Sequence, residues 1–100
     1  MTTLVQQHKA IAADPSYDDN AANAMYLWCI NAGELYPRFL ILVSQYSDDL
    51  DTLVKYINVQ CLGQRKTLDR AEPDLGRVSH ASCMGAAIAI ADYYLNIHQG

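Results

Sequence analysis

The amino-acid sequence predicts an all-α protein, a single-domain bundle of four to five helices over residues 1–100. Three observations carry this. Apolar residues recur at three- and four-residue spacings through most of the chain, which is the period of a helix with one buried side. Ser, Thr or Asp precedes these stretches and Gly or Pro follows them, as at helix starts and stops. The run of strand length, Phe39 to Val43, finds no clear partner strand elsewhere.

Each element follows from its own residues. Thr3 with Gln6 is a capping box, and Leu4, Val5, His8, Ile11 and Ala12 form a stripe that ends at Asp14 and Pro15, so the first helix runs from about 3 to 13. Ser16, with Asp19 three positions on, opens the second, which is apolar on every side from Ala24 to Ile30 and ends at Gly33. A helix apolar all round is covered on more than one side, so this helix, with Trp28, is expected in the middle of the core. In "ELYPRFLILVSQY", Pro37 suits a first helical turn, and Leu35, Phe39, Leu42 and Tyr46 keep helical spacing. The fourth helix has Leu50, Leu53, Val54, Ile57 and Cys61 on one face, Asp51 paired with Lys55 on the other, and Gly63 as its stop.

Residues 64–78, interrupted by Pro73 and Gly76, read as a long exposed connection. Ser79 then caps a fifth helix of about 80–97 with two apolar stripes. Its row Ala81, Gly85, Ala89 places small residues four apart, which lets another helix approach closely. Helix five is therefore a second central helix, alongside helix two, or a dimer seam.

Composition excludes several classes of function. A chain with 51% hydrophobic and 18% charged residues has enough apolar surface to fold as one core. The N-terminus lacks the pattern of a secretory signal, and the run 83–91 meets Asp92 well short of a membrane span, so a cytoplasmic protein is expected. The net charge of −4 argues against general affinity for phosphate backbones. The cluster Arg65, Lys66, Arg70 and Arg77 is mixed with Asp69, Glu72 and Asp74 and makes a weak nucleic-acid footprint. Cys29, Cys61 and Cys83 are widely spaced with no CxxC, which suggests neither a disulfide framework nor a zinc site. His80 with Cys83 lacks the tight ligand pairs of a metal centre and any element that would present a nucleophile. Neither cofactor nor catalytic residue is expected.

The remaining candidates are acidic. The segments 17–33 and 47–63 resemble each other, with Asp18 and Asp19 matching Asp48 and Asp49, and Tyr26 matching Tyr56. The flanks "ELYPRFL" and "QRKTLDR" do not match, which weakens duplication and favours two helices written in one grammar. Aspartates in a first turn are favoured by the helix dipole. If the two starts lay side by side, Asp18, Asp19, Asp48, Asp49 and Asp51 would form a negative patch suited to a basic surface on a larger protein, including one that holds nucleic acid. The expectation is thus a small acidic binding protein, an inhibitor analogous in size and charge alone to phage anti-defence proteins or toxin-neutralising immunity proteins. The alternatives are a homodimer joined through Ala81, Gly85 and Ala89, and a weak nucleic-acid binder using residues 65–77.

Overall fold

The computed structural model describes residues 3–31, 36–65 and 78–99. Every regular element among them is a helix: α1 Leu4–Ala12, α2 Asp19–Ile30, α3 Tyr36–Tyr46, α4 Leu50–Arg65 and α5 His80–Gln99. Helix α5 is the axis. All four other helices pack on it, and its pairing with α2 is the most extensive contact between helices.

The capping box of α1 forms as predicted. Gln6 N–H donates to Thr3 Oγ1 at 3.1 Å, and Thr3 N–H donates to Gln6 Oε1 at 3.0 Å. Leu4 and Ile11 pack against the core, but α1 has no fully buried residue and Val5 is 65% exposed. The predicted stripe is wider than the buried one because α1 lies on a single neighbour of any extent, α5.

One expected helix start moves. Ser16 is held in the turn, where its N–H and Oγ–H both donate to Asp14 Oδ1 at 2.8 and 2.7 Å. Asp18 caps α2 instead, its carboxylate accepting from the N–H groups of Asn20 and Ala21 at 3.0 and 3.4 Å. Asp49 does the same for α4, accepting from Thr52 N–H at 3.2 Å and Thr52 Oγ1–H at 2.7 Å. At the start of α2 a carboxylate nearer the first free N–H groups wins over the serine.

Helix α2 buries Ala22, Met25, Trp28 and Cys29. Leu27 is 45% exposed, so α2 is covered mainly on the side that meets α5 rather than all round. Its C-cap is Asn31, in right-handed conformation; the expected stop at Gly33 lies outside the described residues. Helix α4 passes through Gly63 to Arg65, because a glycine inside a helix costs only about 1 kcal/mol and does not by itself end one. Asp51 and Lys55 are both exposed, and no ion pair joins them within the described residues.

The segment 36–46, which could have read as a strand, is helical and pairs with α4 as an antiparallel hairpin. Tyr46 stacks on Tyr56 at 5.2 Å near the turn, and Arg38 donates to Gln60 at 3.4 Å at the open end. Phe39 and Val43 then reach the core beside Leu53, Val54 and Ile57 of α4. Both predicted stripes of α5 are used: Cys83, Ala87, Ile90 and Tyr94 are buried, as are Ile88 and Ala91. One polar group is misplaced among them. Asn58 is buried, and its Oδ1 has no hydrogen-bond partner among the described residues.

Helices α2 and α5 run in the same direction. Asp18 lies by Ser82, Ala22 by Gly85 and Tyr26 by Tyr93. A serine network fixes their shared end: Ser79 Oγ–H donates to Ser16 O at 2.8 Å, Ser82 N–H to Ser79 Oγ at 3.1 Å, and Asp18 N–H to Ser82 Oγ at 2.9 Å. Ser82 is fully buried and so satisfied. Helix α1 returns antiparallel on the same side of α5, with Ile11 at Gly85.

Candidate functional site

With α1 and α2 both resting on α5, a groove remains between them. It has a volume of about 400 Å³ and is walled by Leu4, Val5 and His8 of α1, Tyr17 of the turn, Asp19, Asn20, Asn23 and Tyr26 of α2, and Gly85, Ile88, Ala89 and Asp92 of α5. A second, shallower hollow shares Asn23, Tyr26, Ala89 and Asp92 with it and continues to Tyr93, Asn96 and Ile97. On α5 the lining positions 85, 88, 89, 92 and 96 fall on one stripe at helical spacing, and 93 and 97 turn onto the adjoining side. The two hollows are therefore one trough along the central helix.

Its chemistry is mixed in an ordered way. The floor is small and apolar, Gly85, Ile88 and Ala89, while the rims carry tyrosines, asparagines and the carboxylates of Asp19 and Asp92. Among the described residues no lysine or arginine lines either hollow. Tyr17 organises one end: its O–H donates to Asp19 Oδ1 at 2.9 Å, lies 3.3 Å from His8 Nε2, and its ring meets that of His8 edge-on at 5.9 Å. Burial, then the hydrogen bond and charge of Asp19, push the Tyr17 hydroxyl pKa up. Tyr26 is pushed the same way by burial, Tyr93 and the charge of Asp92. Both phenols therefore stay neutral donors across the physiological range, in a negative field.

The predicted acidic residues are divided among different tasks. Asp18 and Asp49 cap helices, Asp48 and Asp51 are exposed at the start of α4, and Asp19 alone enters the groove. Helices α2 and α4 have no extensive contact with each other; each packs on α5. Among the described residues no hydrogen bond or ion pair links the two acidic starts. The small-residue row is occupied within the chain. Ala81 and Gly85 are buried, and a Cβ built on Gly85 would come within 2.8 Å of Tyr17 Cε2 and 3.3 Å of Ala22 Cβ. Ala89 remains partly open on the groove floor.

Cys29 and Cys83 are buried thiols within the core. Among the described residues no three His, Cys, Asp or Glu side chains are grouped to hold a metal, and no helix is long and apolar enough to cross a membrane. The basic residues 66–77 lie outside the described residues. Asp92 and Tyr26 were absent from the predicted site. A signal existed in Asp92, an acid set seven positions after Gly85 on a stripe of otherwise small or apolar residues.

The acidic caps have a consequence for pH. Hydrogen bonds from Thr52 hold the Asp49 carboxyl below its ordinary value of 3.8, and those from Ser16 do the same for Asp14. A carboxylate whose folded pKa is depressed contributes stability above the unfolded value and loses it as pH falls through the folded value. The urea midpoint of the wild-type chain is thus expected to fall between pH 5 and pH 2 by more than that of Asp49→Asn, whose cap does not titrate. Equal falls in the two proteins would remove Asp49 from the acid response.

No protein-family model, curated protein or solved structure matches this chain.

Proposed function

We propose that this chain is a non-catalytic binding module that acts by occupying a basic surface of a larger protein, as a small acidic inhibitor of the phage anti-defence or immunity-protein type does. The observation that supports the reading is the trough along α5, where apolar floor, tyrosines and exposed carboxylates meet with no lysine or arginine on the lining among the described residues. Such a surface attracts cations over long range and offers apolar area at short range. Tyrosine suits this task because its ring buries area and its hydroxyl bonds at the edge.

The test is affinity capture from the source cell at about 0.1 M salt, where surface charges act over roughly 10 Å, followed by a challenge with heparin. The expected result is a protein partner bound at fixed stoichiometry and released by the polyanion. A partner that heparin does not displace, or none at all, would count against a basic target surface.

A further inference from the structure

The trough has a length, a direction and a charge pattern, and together these specify its occupant. Helix α1 has 9 residues against 20 in α5, so at 1.5 Å per residue it covers about 13 Å of a helix about 30 Å long. Alongside Leu4 and beyond it, α5 carries Ala89, Asp92, Tyr93, Asn96 and Ile97. Tyr93 and Ile97 are each 39% exposed there. The open stretch from Ala89 to Ile97 is about 12 Å long by the same rise.

Apart from the Tyr17 turn the walls are helices, whose backbone groups are already paired internally, so an extended peptide would find no strand edge to add to. A helix lying in the trough would rest in the groove between α1 and α2 at one end and on the open side of α5 at the other. Charge decides its character. Asp19 marks one end through its bond to Tyr17, whose ring rests on Gly85, and Asp92 lies seven positions further along α5. That offset is about 10 Å, two helical turns.

We propose that the trough seats an amphipathic α-helix of the partner, about three turns long, with its apolar side on Ile88, Ala89 and Tyr26 and lysine or arginine side chains two turns apart facing Asp19 and Asp92. This rests on the binding-module reading above and names the part of the partner that is bound. The raised pKa values of Tyr17 and Tyr26 agree with it, since burial and nearby carboxylate charge already favour a neutral phenol beside an incoming cation. The acidic start of α4 lies outside the trough and has no part in it.

The probe is a synthetic 14-residue helix with leucines at i, i+3, i+4 and i+7 and lysines two turns apart flanking that stripe, titrated into the ¹⁵N-labelled full chain. A scrambled peptide of the same composition is the control. Amide shifts are expected at Asn20, Asn23, Ala89, Asp92 and Asn96, with the scrambled peptide binding at least about fivefold more weakly. Two exposed charges contribute modestly each, so Asp19→Asn with Asp92→Asn should weaken the ordered peptide by about three- to tenfold. Asp48→Asn with Asp51→Asn should leave it unchanged. Shifts centred on α3 or α4, equal binding of the scrambled peptide, or equal loss in both double variants would overturn the proposal. So would concentration-dependent shifts at the trough in the chain alone, with a dimer by sedimentation, since the occupant would then be a second copy.

The same variants separate the two readings. If Asp19→Asn with Asp92→Asn still captures a heparin-released partner as well as wild type, the helix proposal fails and the binding module stands. If wild type captures no such partner while the peptide titration succeeds, the proposed function fails on its own.

Discussion

Replacing Tyr94 with alanine is expected to lower the free energy of unfolding by about 4 kcal/mol, within the range for emptying a fully buried aromatic site. Tyr94 is the largest of the fully buried side chains, at 1% exposure. Its ring packs on Phe39 of α3 with centroids 5.2 Å apart and on Tyr93 edge-to-face at 5.0 Å. It therefore ties the axial helix to the α3–α4 hairpin. A domain of this size has about 5–15 kcal/mol in total, so the loss removes roughly a quarter or more of it. At roughly 4–8 °C per kcal/mol, the melting temperature should fall by about 15–30 °C. The neighbouring Tyr93, 39% exposed on the trough rim, gives the control, since Tyr93→Ala removes less buried area and should cost about 1–2 kcal/mol. Urea unfolding followed by the fluorescence of Trp28, the single tryptophan, measures both. Similar losses for the two would mean that Tyr94 does not sit in the core as described.

What could be read from the sequence, and what could not, follows the distance over which each feature is decided. The Thr3 capping box closes within three residues, so local chemistry settles it. The two stripes of α5 were legible because burial on two sides writes both into one helix. The choice between Ser16 and Asp18 as the cap of α2 was not, because it turned on whether Asp14 would capture Ser16 in the turn. Asn58 lies next to Ile57 in a helix read for its apolar face, and its burial depends on how α4 rolls against α5. The trough is harder still. Leu4, Tyr26 and Ala89 lie far apart in the chain and meet only because α1 and α2 share one side of α5. Of the five aspartates grouped from sequence, the fold brings Asp19 to this site, and it adds Asp92, which periodicity alone marked only as the end of an apolar run.

Gly85→Leu is expected to cost about 3 kcal/mol, whereas Gly85→Ala should be nearly neutral, and the contrast tests how α1, α2 and the Tyr17 turn are held on the axis. The row of small residues on α5 announced a close approach; the structure identifies what approaches. A Cβ at Gly85 would lie 2.8 Å from Tyr17 Cε2, 3.3 Å from Ala22 Cβ and 3.4 Å from Ile11 Cδ1. The tightest of these is the far part of a side chain, whose hydroxyl is nonetheless tied to Asp19 and close to His8. For alanine, the gain of about 1 kcal/mol in helix propensity over glycine offsets the small shift of that ring. A leucine places three further carbons among Tyr17, Ala22 and Ile11, and overpacking of this kind costs typically about 1–3 kcal/mol. Relief would come by lifting α1, which has no fully buried residue to hold it. The Tyr17 ring should then leave His8 and Asp19, the trough should lose one wall, and the lysine-rich helical peptide should bind Gly85→Leu at least about tenfold more weakly than wild type. Peptide binding and stability must fall together in Gly85→Leu and both persist in Gly85→Ala. If Gly85→Ala instead stabilises by the full 1 kcal/mol or so of an exposed helical glycine, or if Gly85→Leu retains the wild-type urea midpoint, then α1 and Tyr17 do not press on α5 at this point and the wall of the trough is not where it is drawn.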